Sequence, residues 1–205
     1  MRRMPTPLRY QVTHYDCGPT SLLNALAVLF DRDELPPDVL KGVYALSLDR
    51  YYDGLAYHGG TSGMAMAHIA FWLQDYADRT GFPLRAMRIT GQQVSLAEGS
   101  PLRESLGQGG VAVAGVRLDV DHYVVLTGFQ DGCVRVFDPF WSAPGQREWG
   151  PGVMQVTDAP FSHNRLIRPE VMDSEDDHEY SFACASGAEA VLMWRTSPRG
   201  AEARN

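Results

Sequence analysis

The chain has 205 residues, enough for one domain or two closely packed lobes with a sizeable core. Its hydrophobic content of 44% and charged content of 21% are those of an ordinary soluble globular protein. A net charge of −7 speaks against a general binder of nucleic acid or anionic membrane, and the longest apolar stretch, Leu22 to Phe30, contains Asn24 and is too short to cross a bilayer.

Taken in chain order, Arg2 and Arg3 are followed by Met-Pro-Thr-Pro and not by an apolar run, so no secretory signal is visible. The run from Gln11 to Ser21 then carries Asp16-Cys17-Gly18-Pro19. Pro19 suits the first position of a helix and Gly18 its N-cap, and Leu22, Leu26, Leu29 and Phe30 recur at helical spacing. Cys17 is thereby expected just outside the positive end of a helix, where thiol pKa values fall from ~8.5 to roughly 3.5–7.5. A small buried cysteine ahead of a core helix is the other reading of the same run.

Pro36-Pro37 opens a shorter helix with Val39, Leu40, Val43 and Tyr44 on its apolar side. The stretch from Tyr51 to Gly60 is an irregular connection rich in Tyr and Gly. Gly59-Gly60-Thr61-Ser62 lacks a preceding strand and a lysine, and so reads as a loop plus cap, not a phosphate cradle. Thr61 or Ser62 caps a third helix with Met66, Ile69, Ala70, Leu73 and Ala77 inward, which stops before Gly81.

Strand signals follow. Leu84 to Ile89 and Val111 to Leu118 are strands, with a short helix opened by Ser100-Pro101 between them. His122 to Phe129 and Cys133 to Phe137 form a hairpin, Glu148 to Thr157 is expected as an edge strand, and Ala190 to Arg195 as another. Asp158 to Tyr180 reads as a long acidic loop, and its 173–179 run as a solvated face. The fold class expected is α+β: a helical part over 1–82, a mainly antiparallel sheet part over 83–195 and a tail over 196–205, in a single domain over 1–205.

Cys17, Cys133 and Cys184 are odd in number and widely spaced, without C-x-x-C, a poor disulfide framework and a poor zinc site. A reducing cytoplasm is the expected home. No histidine pair has metal-ligand spacing; His14, His58, His68, His163 and His178 are read as ordinary loop, helix or acidic-run residues, and neither metal nor cofactor is expected.

A nucleophilic cysteine needs a base, a group orienting that base, and donors for the developing oxyanion. His122 begins one strand of the hairpin and Asp138 follows the other. A three-residue loop, Gln130-Asp131-Gly132, pairs Phe129 with Cys133 and Val124 with Asp138, which makes His122 and Asp138 diagonal neighbours on one face. A two-residue loop, Asp131-Gly132, puts them on opposite faces. The amide of Gln11 can join the backbone N–H of Cys17 at an oxyanion. Tyr123, Phe140 and Trp141 flank these residues as candidate groove walls or as packing.

In these features the chain resembles the papain-like cysteine peptidase superfamily, and within it the double-glycine (bacteriocin-processing) peptidases and their stand-alone relatives. The residues that carry the resemblance are Gln11 six positions before Cys17, the Asp16-Cys17-Gly18 triplet, and His122-Tyr-Val-Val-Leu followed by Val134-Arg-Val-Phe-Asp138-Pro139. The resemblance implies a two-lobed fold, Cys17 as nucleophile, His122 as general base and acid, Asp138 as its orienting partner and Gln11 as oxyanion donor. The helical insert from Pro36 to Gly81 and the acidic stretch after Asp158 depart from a minimal processing domain, and cleavage after a double glycine is not implied by the motifs alone. The Cys-Gly-Pro-Thr-Ser-Leu-Leu-Asn run is also similar to acyltransferases of the superfamily, including phytochelatin-synthase-like enzymes.

The leading expectation is thus a cytoplasmic cysteine hydrolase acting on a peptide or isopeptide bond, with a peptide or a small acyl or amide substrate and no nucleic-acid or membrane partner. An acyl- or aminoacyltransferase with the same Cys-His-Asp site is the second reading. A catalytically silent binding module of the same fold is the third.

Overall fold

The computed structural model describes residues 4–176, 178–182 and 187–197; Arg2, Arg3, Cys184 and the tail beyond 197 lie outside the described residues. Three helices come first: α1 Cys17–Leu29, α2 Pro37–Leu46 and α3 Gly63–Thr80. They are followed by β1 Leu84–Thr90, α4 Pro101–Gly107, β2 Val111–Leu118, β3 Val120–Gln130, β4 Cys133–Phe137, β5 Val153–Gln155, β6 Arg165–Ile167, α5 Pro169–Met172 and β7 Glu189–Arg195. The strands form one seven-stranded sheet in the order β1-β7-β2-β3-β4-β6-β5, antiparallel throughout. The expected α+β class is what the chain adopts.

Local chemistry accounts for the helix limits. The Ser62 side chain accepts from the Ala65 N–H at the start of α3, a cap worth about 1 kcal/mol, and Gly81 ends the helix in the left-handed region at φ 73°. Ser100 caps α4 in the same way, with Pro101 at its first position. Helix α1 begins two residues earlier than expected: Asp16 is the N-cap, and Cys17 occupies the first turn instead of standing outside it. On α2, Val39 and Val43 are buried as expected, but Leu40 and Tyr44 are exposed, because the helix meets its neighbours along a narrower stripe.

The sheet carries a core on each face. Helices α1, α2 and α3 cover Val111, Val113, Val125, Phe137, Val191 and Met193, whereas Leu96, Leu102, Leu106, Met172, Tyr180 and Phe182 pack on Ala112, Ala114, Val124, Val136 and Leu192. Strand β7 is an interior strand between β1 and β2, not an edge; Val191, Leu192 and Met193 are buried on alternating faces. The segment expected as one acidic loop holds β6 and α5, elements of three and four residues too short to show a period. Part of its acidic run is structural: Asp173 accepts from the N–H of Leu96 at 2.8 Å, and Glu179 pairs with Arg147.

The β3–β4 hairpin closes differently from the three-residue loop expected. Gln130 pairs with Cys133 around a two-residue turn, with Asp131 and Gly132 both at positive φ (51° and 79°), the primed geometry that an Asp-Gly pair favours. Alone, this turn would send His122 and Asp138 to opposite faces. A bulge at Thr127 inserts one extra residue between Leu126 and Gly128 and restores the pairing of Leu126 with Val136 and Val125 with Phe137. Carried one step past the end of β4, the same register brings Val124 level with Asp138. Gly128 sits in the bulge at φ 126°, and a Cβ there would lie 2.4 Å from Nη2 of Arg135, which donates to the Thr127 carbonyl at 2.8 Å.

Gly128→Ala is therefore expected to cost on the order of 1–3 kcal/mol of stability by denaturant unfolding, from backbone strain plus loss of the Arg135 contact. Gly132→Asn, which tolerates the left-handed region, is expected to cost much less.

Candidate active site

Three segments meet at one end of the sheet. The thiol of Cys17, in the first turn of α1, is hydrogen-bonded to the His122 ring. The other face of that ring is fixed: Nε2 of His122 lies 2.8 Å from Oδ1 of Asp138, which leaves Nδ1 as the nitrogen toward Cys17. All three side chains are buried.

Burial would raise the thiol pKa of Cys17. It is lowered instead, by the charge and hydrogen bond of His122 and by the backbone N–H groups of Tyr123 and Gly18 aimed at the sulfur. The Gly18 N–H is one of the first-turn amides that a helix leaves without an internal partner. Burial would likewise push His122 down, but the carboxylate of Asp138 and the sulfur of Cys17 raise it to about 10. Asp138 is held below the usual carboxylate range against its own burial, first by His122 and then by the hydroxyl of Tyr180 and the N–H of Phe140. The shifts of all three groups run in the direction that favours charge on Cys17, His122 and Asp138 together.

Two asparagines brace this arrangement through the main chain. Asn164 accepts from the N–H of Asp138 and donates to its carbonyl, both at 2.8 Å. Asn24 of α1 accepts from the N–H of Arg9 and donates to its carbonyl, again at 2.8 Å each, and so ties the N-terminal arm to the cysteine helix. Gln11 continues that arm, with its own N–H donating to the Pro139 carbonyl at 2.9 Å. The carboxylate of Asp16 gathers the loop between them, accepting from the N–H groups of Val12 and Thr13 and the Thr13 hydroxyl.

The cleft above Cys17 and His122 has a volume of about 1100 Å³. One wall is the 50–63 segment, where Tyr52 and Leu55 pair across a second Asp-Gly turn at Asp53-Gly54. The opposite wall is the end of β2 and the β2–β3 turn, from Gly115 to Asp121. Gly18 permits the first wall to approach α1: a Cβ there would lie 2.6 Å from the Thr61 hydroxyl.

Of the expected groove residues, Tyr123 and Phe140 line the cleft. Tyr123 is pinned by its hydroxyl, which donates to Glu189 at 2.5 Å, and Phe140 stands near the ring of His14. Trp141 is 58% exposed and is not part of the lining. Gln11 lines the cleft, but its Nε2 donates to the Thr13 carbonyl at 2.7 Å and its buried Oε1 has no partner. One of the two amide hydrogens is therefore engaged in this state and the second is open. His14 and His58, read as ordinary loop residues, both face the cleft.

Asn164, Tyr180, Arg165 and Glu189 were not legible as site residues; each lies far from the motifs in sequence and carries no local pattern. Glu189 is buried at the cleft floor and is held by Arg88 at 2.7 Å as well as by Tyr123. Among the described residues no group of three or more His, Cys, Asp and Glu side chains could hold a metal ion, and no helix is long and apolar enough to cross a membrane.

No family model matches the chain, and no curated protein matches it. Solved structures similar to it include the following two. One is a double-glycine motif protease from an AMS/PCAT transporter in complex with the leader peptide, at 16% identity over 95% of this chain and 94% of that one, with a TM-score of 0.42. The other is a Bacillus anthracis protein named for its likeness to C39 peptidases, at 17% identity over 94% of this chain and 96% of that one, with a TM-score of 0.48.

The sign of the pH dependence follows from these shifts. His122 is raised, so its contribution to stability is full below its unfolded value of ~6.5 and is lost as pH rises through about 10. Cys17 and Asp138 are lowered, so theirs are present above the unfolded values and lost as pH falls through the folded ones. Alkylation of Cys17 by iodoacetamide is expected to stay fast well below the ordinary thiol value of ~8.5. His122→Ala and Asp138→Asn should each move the inflection upward, read as rate against pH.

Proposed function

We propose that the protein is a cysteine hydrolase of papain-like architecture that cleaves a peptide or isopeptide bond through a thioester on Cys17. The observation that carries this reading is the continuous contact from the sulfur of Cys17 through the ring of His122 to Asp138, opening on a cleft. In the resting pair the sulfur is already a thiolate and His122 already carries the proton the leaving group needs. The thiolate attacks the substrate carbonyl carbon. The oxyanion that forms is met by the backbone N–H of Cys17 and by the open amide hydrogen of Gln11. Collapse breaks the C–N bond as His122 delivers its Nδ1 proton to the departing amine, leaving a thioester and a neutral imidazole. Water then enters, gives its proton to His122 and attacks the thioester; expulsion of the thiolate restores the pair. Asp138 stays ionised throughout and holds the ring with Nδ1 toward the sulfur.

The cleft is somewhat larger than the roughly 300–1,000 Å³ usual for small-molecule pockets, which favours a polypeptide segment over a small acyl donor. The same thioester can be resolved by an amine, so hydrolysis and transfer differ only in the second acceptor.

Labelling by a thiol-directed peptidyl acyl probe is expected to vanish in Cys17→Ala; unchanged labelling refutes the site. Mass-spectrometric screening of a peptide library should find cleavage, with water outcompeting added amines as acceptor. Gln11→Ala is expected to lower turnover by about 10²–10³-fold while leaving iodoacetamide alkylation of Cys17 nearly unchanged.

A further inference from the structure

Asp138 is held from more directions than the orientation of one imidazole requires. Its Oδ1 accepts from His122 and from the N–H of Phe140, each at 2.8 Å, and its Oδ2 accepts from the hydroxyl of Tyr180 at 2.7 Å. Behind Tyr180 lies Arg165, whose guanidinium is fully buried. Its Nε donates to the phenolic oxygen at 3.2 Å, Nη1 to the Asn164 carbonyl at 2.8 Å and Nη2 to the Ser142 hydroxyl at 2.9 Å, while its plane covers the Trp149 ring. The route from this buried cation to a carboxylate runs through the Tyr180 hydroxyl. The result is an interior row of alternating charge, Arg165, Asp138, His122 and Cys17, with a neutral phenol between the first two.

The backbone at Tyr180 supports a role for its placement. Its φ is 67°, a costly conformation for a bulky side chain, which persists only where the surroundings over-determine it. Here they do. The Tyr180 N–H donates to the Arg117 carbonyl, and the Arg117 N–H donates to the Ser181 carbonyl at 3.0 Å, so the turn is laid against β2. The phenol also solves an electrostatic problem. Arg165 in direct contact with Asp138 would compete with His122 as its counter-ion. A phenolic donor satisfies the second carboxylate oxygen without bringing a full charge against it.

We propose that Tyr180, backed by Arg165, is a positioning residue for the Cys17–His122 pair, keeping Asp138 ionised with Oδ1 turned to His122. This inference rests on the catalytic reading above. The groups that face Asp138 are His122 from β3, Tyr180 from the 178–182 segment, Arg165 from β6 at one remove and the N–H of Phe140; Cys17 faces it through His122.

The test is the rate of Cys17 alkylation by iodoacetamide against pH in the full chain, with thermal unfolding measured alongside. Tyr180→Phe, which keeps the ring but removes the donor, is expected to move the acid limb upward by on the order of one pH unit. Site-specific 3-fluorotyrosine at position 180, a stronger donor of nearly the same size, is expected to move it downward and keeps the test open if the Phe variant does not fold. A merely structural role predicts a lower melting temperature with the limb unmoved in both. That result, with Cys17→Ala and His122→Ala behaving as expected above, overturns the inference and leaves the proposed site intact. Controls in which His122→Ala does not shift the profile overturn the site itself.

Discussion

The ion pair between His122 and Asp138 is the constraint around which the rest is arranged. Removing two charges from water costs several kcal/mol for each ion, and the interior compensates only where geometry and additional hydrogen bonds are good. That condition is met here by donors converging on Asp138 from a side chain on β3, a phenol in a strained turn and a main-chain amide. The charge and hydrogen bond of His122 in turn lower the pKa of the buried Cys17 thiol, which burial alone would raise.

Holding Cys17, His122 and Asp138 in line requires that the elements bearing them be locked to one another. The two asparagine clamps do this in the same way at two places: Asn24 joins α1 to the N-terminal arm and Asn164 joins β6 to the end of β4. In each case one side-chain amide satisfies both the N–H and the carbonyl of a residue outside regular secondary structure. The Ser21 hydroxyl, donating to the Tyr123 carbonyl at 2.9 Å, fixes α1 against β3 directly beside the sulfur.

The cleft owes its shape to where the sheet stops pairing. Strands β2 and β7 run together from Val111 to Ala114, and beyond that point Gly115 lies on the cleft wall opposite the 50–63 segment. Glu189, at the start of β7, sits at the floor between Arg88 and Tyr123. A Cβ on Gly63 would lie 2.8 Å from its carboxylate, so the start of α3 comes close to that charge, the end of a helix that favours an anion.

Much of the scaffold was legible because its signals are local. Caps at Ser62 and Ser100, the stop at Gly81, and the apolar series of α1 and α3 depend on residues within a turn or two of each other, and the sequence by itself determined them. The candidate trio of Cys17, His122 and Asp138 was readable from residue types and strand alternation, although the route by which His122 reaches Asp138 was not. It depends on a two-residue turn and a compensating bulge at Thr127, and a bulge is set by what the two strands pack against. The β7 strand inside the sheet, the short β6 and α5, and the approach of Asn164, Tyr180 and Arg165 to Asp138 were decided only in the tertiary structure. Pairing partners and buried side-chain contacts at such separations are selected by the whole packed interior, and nothing within a few residues of each position encodes them.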